Sequence, residues 1–226
     1  VISDEETHIK KIIFSPALLA KEVFADPELT LALPPSITAA TGMDAFTHCV
    51  EAYLAKGYHP ICDGIALEGM SLASKHLLTA VQNPSNIEAR AQMMMASMMG
   101  AIAFQKGLGL THSCAHALST VADLHHGLAN GLMIDFALAF NIQAVPERFA
   151  KIAETIGLKT HTGEAFISWL KEWKKSLGIP ATLKESKIMK EQLSTLSQLA
   201  FQDSCHQNNP RACTEKDFHQ IFQEAF

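Results

Sequence analysis

Leu33-Pro34-Pro35-Ser36-Ile37-Thr38-Ala39-Ala40-Thr41-Gly42-Met43-Asp44-Ala45-Phe46-Thr47-His48 is the stretch on which the reading of the fold turns. The paired prolines fix φ and bar a helix ahead of Ser36. Beyond them the apolar pattern takes a helical period and keeps it nearly to the end of the chain. A first helix is expected from about Ser36 to Leu54, with a break near Gly42. A second is expected from about Asp63 to Val81, stopped before Pro84, and a third from about Ile87 to Phe104. Met93, Met94 and Met95 are consecutive and cannot share one helical face, so the third helix is expected to be buried on most sides. Its methionines read as core filler rather than ligands. Farther on, Phe166, Ile167, Leu170, Trp173 and Leu177 recur at helical spacing, with Gly178 and Pro180 as the stop. Thr214 with Asp217 caps a last helix carrying Phe218, Ile221 and Phe222.

Ahead of the prolines, Lys11-Ile12-Ile13-Phe14 and Glu22-Val23-Phe24 have strand character, and Ser15-Pro16 and Asp26-Pro27 interrupt them. Two short edge strands or extended segments are expected there. The sequence is therefore read as mainly α, with a short β-like preface over 1–35 and an all-helical domain over 36–226. It has no repeat and no low-complexity tract.

Composition narrows the function classes. The 226 residues are 48% hydrophobic and 18% charged, which suits a packed core rather than a disordered segment. A formal net charge of -5 gives no basic footprint for nucleic acid. No apolar run approaches about 18 residues, so no membrane span is expected. Val1 to Lys11 lack the apolar core of a secretion signal. The five cysteines (Cys49, Cys62, Cys114, Cys205 and Cys213) are odd in number and form no C-x-x-C pair. That pattern suits reduced thiols in a cytoplasm. The chain opens on Val1 and has no methionine before Met43, which reads as a piece whose beginning lies upstream.

Three clusters carry chemistry. Asp44 and His48 stand four apart, on one helical face. Alone, this pair is better explained by an ordinary Asp–His hydrogen bond or an exposed helix pair. His112 and His116 repeat the spacing after Lys106-Gly107-Leu108-Gly109-Leu110, whose glycines end the methionine helix. A fresh helix starting near Thr111 puts His112 in its first turn, and Ser113, Ala115 and Ala117 leave room beside the two rings. Helix-surface histidines or a satisfied buried pair are the plain alternative. In His125-His126-Gly127-Leu128-Ala129-Asn130-Gly131 the adjacent histidines point apart, so at most one joins a shared site; a polar turn between helices is the alternative there. Together, one carboxylate and several imidazoles make an oxygen-and-nitrogen set for Fe²⁺, Zn²⁺, Co²⁺ or Ni²⁺. The cysteines lack ligand spacing, so a catalytic ion with an open position fits better than a structural zinc.

With these residues the sequence resembles the iron-containing (group III) alcohol dehydrogenases. The resemblance runs through Asp4-Glu5-Glu6-Thr7-His8-Ile9-Lys10-Lys11, Asp26-Pro27-Glu28-Leu29-Thr30, Leu33-Pro34-Pro35 and Ala40-Thr41-Gly42-Met43-Asp44-Ala45-Phe46-Thr47-His48. It continues in Gly109-Leu110-Thr111-His112, His116-Ala117-Leu118, His126-Gly127-Leu128-Ala129-Asn130, and Asp203-Ser204-Cys205-His206 with Asn209-Pro210-Arg211. It implies the helical C-terminal domain of the dehydroquinate synthase-like / iron alcohol dehydrogenase fold, with Asp44, His48, His112 and His126 as metal ligands. His116 matches a histidine beside the nicotinamide that relays a proton. The implied cofactors are Fe²⁺, with Zn²⁺ as the alternative, and NAD or NADP. The implied reaction interconverts a small primary alcohol and an aldehyde, in an enzyme that is a homodimer or larger. Apolar residues such as Phe104, Leu108 and Ile37 are expected near the substrate.

His125, Asp135 and Ser204 depart from the family's commoner residues, a proline in each case. The larger departure is a missing glycine-rich phosphate-binding turn: Gly107-Leu108-Gly109 lacks a third glycine and follows no strand. The chain is therefore expected to carry only the metal half, the preface joining it to an absent nucleotide-binding domain. It should not transfer hydride alone, and no cofactor-binding residue is assigned. The competing readings are a zinc-dependent glycerol dehydrogenase-like or dehydroquinate synthase-like enzyme, and a helical His-Asp metal-dependent hydrolase. The latter needs an adjacent His-Asp pair, which the sequence lacks. A non-catalytic helical interaction protein would leave the three clusters as coincidence.

Overall fold

The computed structural model describes residues 2–3, 10–11, 13 and 15–226. Strands β1 (Ile2–Ser3) and β2 (Lys10–Lys11) pair antiparallel, with Ile2 opposite Lys11. Ile12, Phe14 and residues 4–9 lie outside the described residues, and with them most of the first expected strand and the acidic start of the family motif. Glu22–Phe24 is not a strand. Val23 and Phe24 are exposed and find no ladder partner. The neighbouring prolines start 3-10 turns instead, Pro16–Leu18 and Pro27–Thr30, the second capped by Asp26 accepting from the Glu28 N–H at 2.9 Å.

Nine α-helices follow among the described residues: α1 (Pro35–Leu54), α2 (Pro60–Gln82), α3 (Ile87–Ala103), α4 (Leu110–Ala122), α5 (His126–Asn141), α6 (Pro146–Thr155), α7 (Gly163–Ser176), α8 (Leu193–Gln202) and α9 (Glu215–Ala225). Helix α1 starts on Pro35 itself, since a first-turn residue has no intrahelical partner for its N–H to lose. It also runs unbroken through Gly42. A Cβ there would lie 2.1 Å from Leu77 Cδ1 of α2, so this glycine permits close helix packing and does not interrupt the helix. Thr214 and Asp217 form the expected reciprocal cap of α9.

The methionine helix α3 is a correction. Met93 is buried, but Met95, Met98 and Ile102 are exposed. The run of methionines winds around the helix, and only the face toward α1 and α2 is covered. Helix α5 was expected only as a helical segment without bounds, and α6 and α8 were not foreseen. The last two are ten residues each. Most of α5 is buried, so it shows no polar stripe from which to read a period.

Two apolar clusters make the core. One joins α1, α2, α3, α6 and α7 around Phe46, Met70, Leu77, Phe149, Phe166 and Trp173. The other joins α4, α5, α8 and α9 around Leu118, Leu132, Met133, Phe218 and Phe222. Helices α1, α4 and α5 meet at the seam between them. The C-terminal segment is tied to that seam by paired amides: Asn141 donates to Asn209 Oδ1 at 2.8 Å and Asn209 donates to Asn141 Oδ1 at 2.7 Å. No helix among the described residues is long and apolar enough to cross a membrane.

Candidate metal centre

The seam brings the five singled-out residues together. Asp44 and His48 come from the middle of α1, His112 and His116 from the first two turns of α4, and His126 opens α5. Asp44 Oδ1 is the common point. It lies 3.8 Å from His48 Nε2, 3.5 Å from His112 Nε2 and 3.5 Å from His126 Nε2. The His48 and His112 rings stack with centroids 4.6 Å apart, and the His112 and His126 centroids are 5.5 Å apart. His125 points outward and is exposed, as adjacent positions require.

His112 is held with unusual completeness. It is 1% exposed, and its Nδ1 lies 2.7 Å from Glu51 Oε2. A carboxylate can only accept, so the ring donates from Nδ1 and turns Nε2 toward Asp44. Glu51 also accepts from the backbone N–H groups of Gly109 at 2.9 Å and Thr111 at 2.6 Å. Gly109 offers no side-chain cap to α4, so this buried carboxylate takes over the cap's work at the positive end of the helix. Glu51 was missed in the sequence, although it stands seven residues after Asp44 and on the same face of α1.

Asn130, one turn into α5, was also passed over. Its Nδ2 donates to Asp44 Oδ1 at 2.7 Å and lies 3.1 Å from His126 Nε2. The opposite amide orientation would set oxygen against carboxylate. The amide thus spans two of the converging donors.

The close approach of α5 depends on Gly127. A Cβ there would lie 2.4 Å from the Ala40 carbonyl oxygen on α1, a backbone atom that cannot rotate away. Gly127→Ala is expected to push the first turn of α5, and His126 with it, off α1. The cost is about 1–3 kcal/mol of overpacking, read as a lower urea midpoint. An unchanged midpoint would show that the contact is not tight in solution.

The electrostatics suit a cation. Burial alone would raise the Asp44 carboxyl, but the surrounding His112, His48 and His126 imidazoles hold it well below the usual carboxylate range. Burial and the neighbouring His112 push His48 down to about 4, which leaves it neutral with a lone pair. Burial opposes charge on His112 as well, yet Asp44 and Glu51 raise it to about 9. Its Nε2 has no closer polar neighbour than Asp44 Oδ1, which at 3.5 Å lies at the outer limit of a hydrogen bond. A ring raised to about 9 carries a proton on this buried Nε2 in the metal-free chain, and a cation placed among Asp44, His48 and His126 would take that proton's place. One oxygen and three imidazole nitrogens form a borderline donor set that fits Fe²⁺ or Zn²⁺.

His116 lies beside this set and outside it. Its ring stacks on His126 at 5.2 Å, and its Nδ1 lies 2.8 Å from Asp203 Oδ2. Phe104 adjoins the cluster, its ring 5.2 Å from that of His48. A cavity of about 220 Å³ lined by Thr38, Thr41, Ala45, Arg90 and Met93 opens elsewhere on α1 and touches none of these residues. Asp135, one of the three departures, does not face the cluster; it pairs with Lys174 of α7.

Comparison with known proteins gives the chain's family and fold. A model of the C-terminal region of the Fe-containing alcohol dehydrogenase family matches residues 38–226. The NAD-dependent methanol dehydrogenase of Bacillus methanolicus is 39% identical, covering 100% of this chain and 61% of its own length. The 4-hydroxybutyrate dehydrogenase of Cupriavidus necator is 36% identical, over 92% of this chain and 56% of its own. Among solved structures, an alcohol dehydrogenase from Oenococcus oeni superimposes with a TM-score of 0.85 at 36% identity, covering 89% of this chain and 54% of its own. The chain thus spans roughly three fifths of the length of these curated relatives.

Proposed function

The chain belongs to the iron-containing alcohol dehydrogenase family, and we propose that it is the metal-binding half of an enzyme interconverting a small primary alcohol and an aldehyde with NAD or NADP. The observation that carries this reading is the convergence of three imidazole Nε2 atoms on Asp44 Oδ1 within 3.8 Å, with the buried His112 Nε2 lacking any other partner. In this reading Asp44, His48, His112 and His126 hold Fe²⁺, with Zn²⁺ as the alternative. The bound ion supplies Lewis acidity toward the substrate oxygen.

The rest is supplied by the chain's own groups. Glu51 keeps the His112 lone pair directed inward. Phe104 packs against the His48 ring on one side of the cluster. His116 relays the proton exchanged by the substrate, an assignment supported by its place against His126 and outside the ligand set. Relatives that the chain resembles are named for methanol, 4-hydroxybutyrate and 1,3-propanediol, which supports a small alcohol. No glycine-rich dinucleotide turn occurs in the sequence. We therefore assign the nucleotide site to a separate domain joined through residues 1–35, and expect residues 36–226 not to transfer hydride alone. The whole enzyme is proposed to be a homodimer or larger.

Metal content decides the point. Anaerobic reconstitution with Fe²⁺, and separately with Zn²⁺, followed by mass spectrometry should give about one ion per wild-type chain. His126→Ala should give much less. No stoichiometric ion in wild type, or full retention in the variant, would overturn the ligand assignment.

A further inference from the structure

His112 and His116 stand one turn apart on α4, and each has a carboxylate at Nδ1. His112 takes Glu51 from α1. His116 takes Asp203, the residue just past the end of α8. The second pairing is built as deliberately as the first. Asp203 Oδ2 accepts from His116 at 2.8 Å, while Oδ1 accepts from Ser113 Oγ–H at 2.8 Å and from the Cys205 N–H at 2.8 Å. Ser113 in turn accepts from the His206 N–H at 3.0 Å. Ser113 and His116 are three apart on α4, so one helix face presents both donors to one carboxylate.

We propose that Asp203 is the positioning residue for His116: it fixes the neutral ring with its proton on Nδ1 and leaves Nε2 as the nitrogen offered to substrate. This rests on the reading of His116 as the proton-relay group. The hydrogen-bond inventory forces the direction. A carboxylate has no proton to give, so Nδ1 must donate. Nε2 makes no hydrogen bond to any described residue. A proton arriving from the substrate side then adds to the Nε2 lone pair, and the imidazolium formed keeps its Nδ1–H bonded to the Asp203 carboxylate. The proton leaves again from Nε2 to water, and Asp203 neither gains nor loses one.

A rival use of the same atoms is a second ion site, because ligand atoms of His116, Asp203 and Cys205 all lie within 4.8 Å of one another. The hydrogen bonds speak against it. His116 Nδ1 is hydrogen-bonded to Asp203 Oδ2, and Asp203 Oδ1 already accepts from Ser113 and Cys205.

Asp203→Asn makes a sharp test because the amide has only one way to fit. The Ser113 hydroxyl and the Cys205 N–H both donate toward Oδ1, so the amide oxygen must take that position. Its NH₂ then faces His116 Nδ1 and donates to it. The ring can answer only by accepting at Nδ1 and carrying its proton on Nε2. Long-range ¹H–¹⁵N correlation of the Zn²⁺-loaded chain, at a pH where the ring is neutral, reads the tautomer directly, with the His116 signals identified by their loss in His116→Gln. The expected result is a proton on Nδ1 in wild type and on Nε2 in Asp203→Asn, with about one Zn²⁺ per chain in both. A wild-type proton on Nε2 overturns the proposal even if the variant fails to fold, and so does an unchanged tautomer in Asp203→Asn. Two Zn²⁺ per wild-type chain falling to one in the variant would also overturn it, by making the trio an ion site. A wild-type chain that takes up no Zn²⁺ counts against the proposed function instead, and leaves the tautomer readout standing.

Discussion

Replacing Glu51 by Gln is expected to cost the chain about 3–5 kcal/mol, the usual result of removing one partner from a buried ion pair, and to weaken divalent-ion binding about 10–100-fold. Gln nearly preserves the volume, so the effect is electrical and not a cavity. Its oxygen can serve only part of what two carboxylate oxygens serve now: the N–H groups of Gly109 and Thr111 and the ring of His112. Where its NH₂ meets His112 Nδ1 it donates, and the imidazole proton moves to Nε2. That is the nitrogen directed at Asp44, so the lone pair meant for an ion is lost. Urea unfolding and a chelator competition measure the two effects. A midpoint within about 0.5 kcal/mol of wild type would mean that Glu51 is dispensable at the start of α4.

The stability gap should also depend on pH in metal-stripped protein. Burial alone would raise Glu51, but His112 and Thr111 lower it overall, so its contribution is present above the unfolded value of about 4.3 and fades as pH falls through the lower folded value. His112 is raised to about 9. Its contribution is complete below about 6.5 and fades as pH rises through that folded value. The difference between wild type and Glu51→Gln should therefore be widest between about pH 4.5 and 6.5 and shrink toward pH 9. A gap that grows over that upper interval would contradict the pairing.

What could be read from the sequence followed the range of the interactions. Asp44 and His48, or His112 and His116, are one helical turn apart, so their faces follow from spacing alone. The caps and stops at Thr214, Gly178 and Pro84 are local in the same way. Glu51 was within reach by that logic, but a single acidic residue on a helix looks like a solvated one until its burial is known. Asp203 was quoted within a motif and given no role. Its partners Ser113 and His116 lie 90 and 87 positions away, and no periodicity connects them. The methionine helix misled because a run of large apolar residues was equated with burial all round. Met95 and Met98 show that a helix can carry such residues on an open face.

Asp135, a departure at a family position, serves the packing of α5 on α7 and not the site. It is 3% exposed and meets Lys174, also 3% exposed, which donates as well to the Leu132 carbonyl at 2.7 Å. Burial pulls the Lys174 ammonium below its ordinary range even with the carboxylate beside it. The carboxylate therefore does not fully offset the desolvation of the Lys174 ammonium. Two results should follow from that imbalance. Lys174→Met alone is expected to lose about 3–5 kcal/mol, because it strands a buried carboxylate between α5 and α7. Lys174→Met combined with Asp135→Ala should recover most of that loss, since neither charge is then left without its partner. Urea midpoints of the wild type, both single variants and the double variant give the coupling directly. Metal content should stay at the wild-type value throughout, because neither residue touches the histidine cluster. Additive losses in the double variant would mean that the two side chains act independently, and the pair would then be a contact without a coupling.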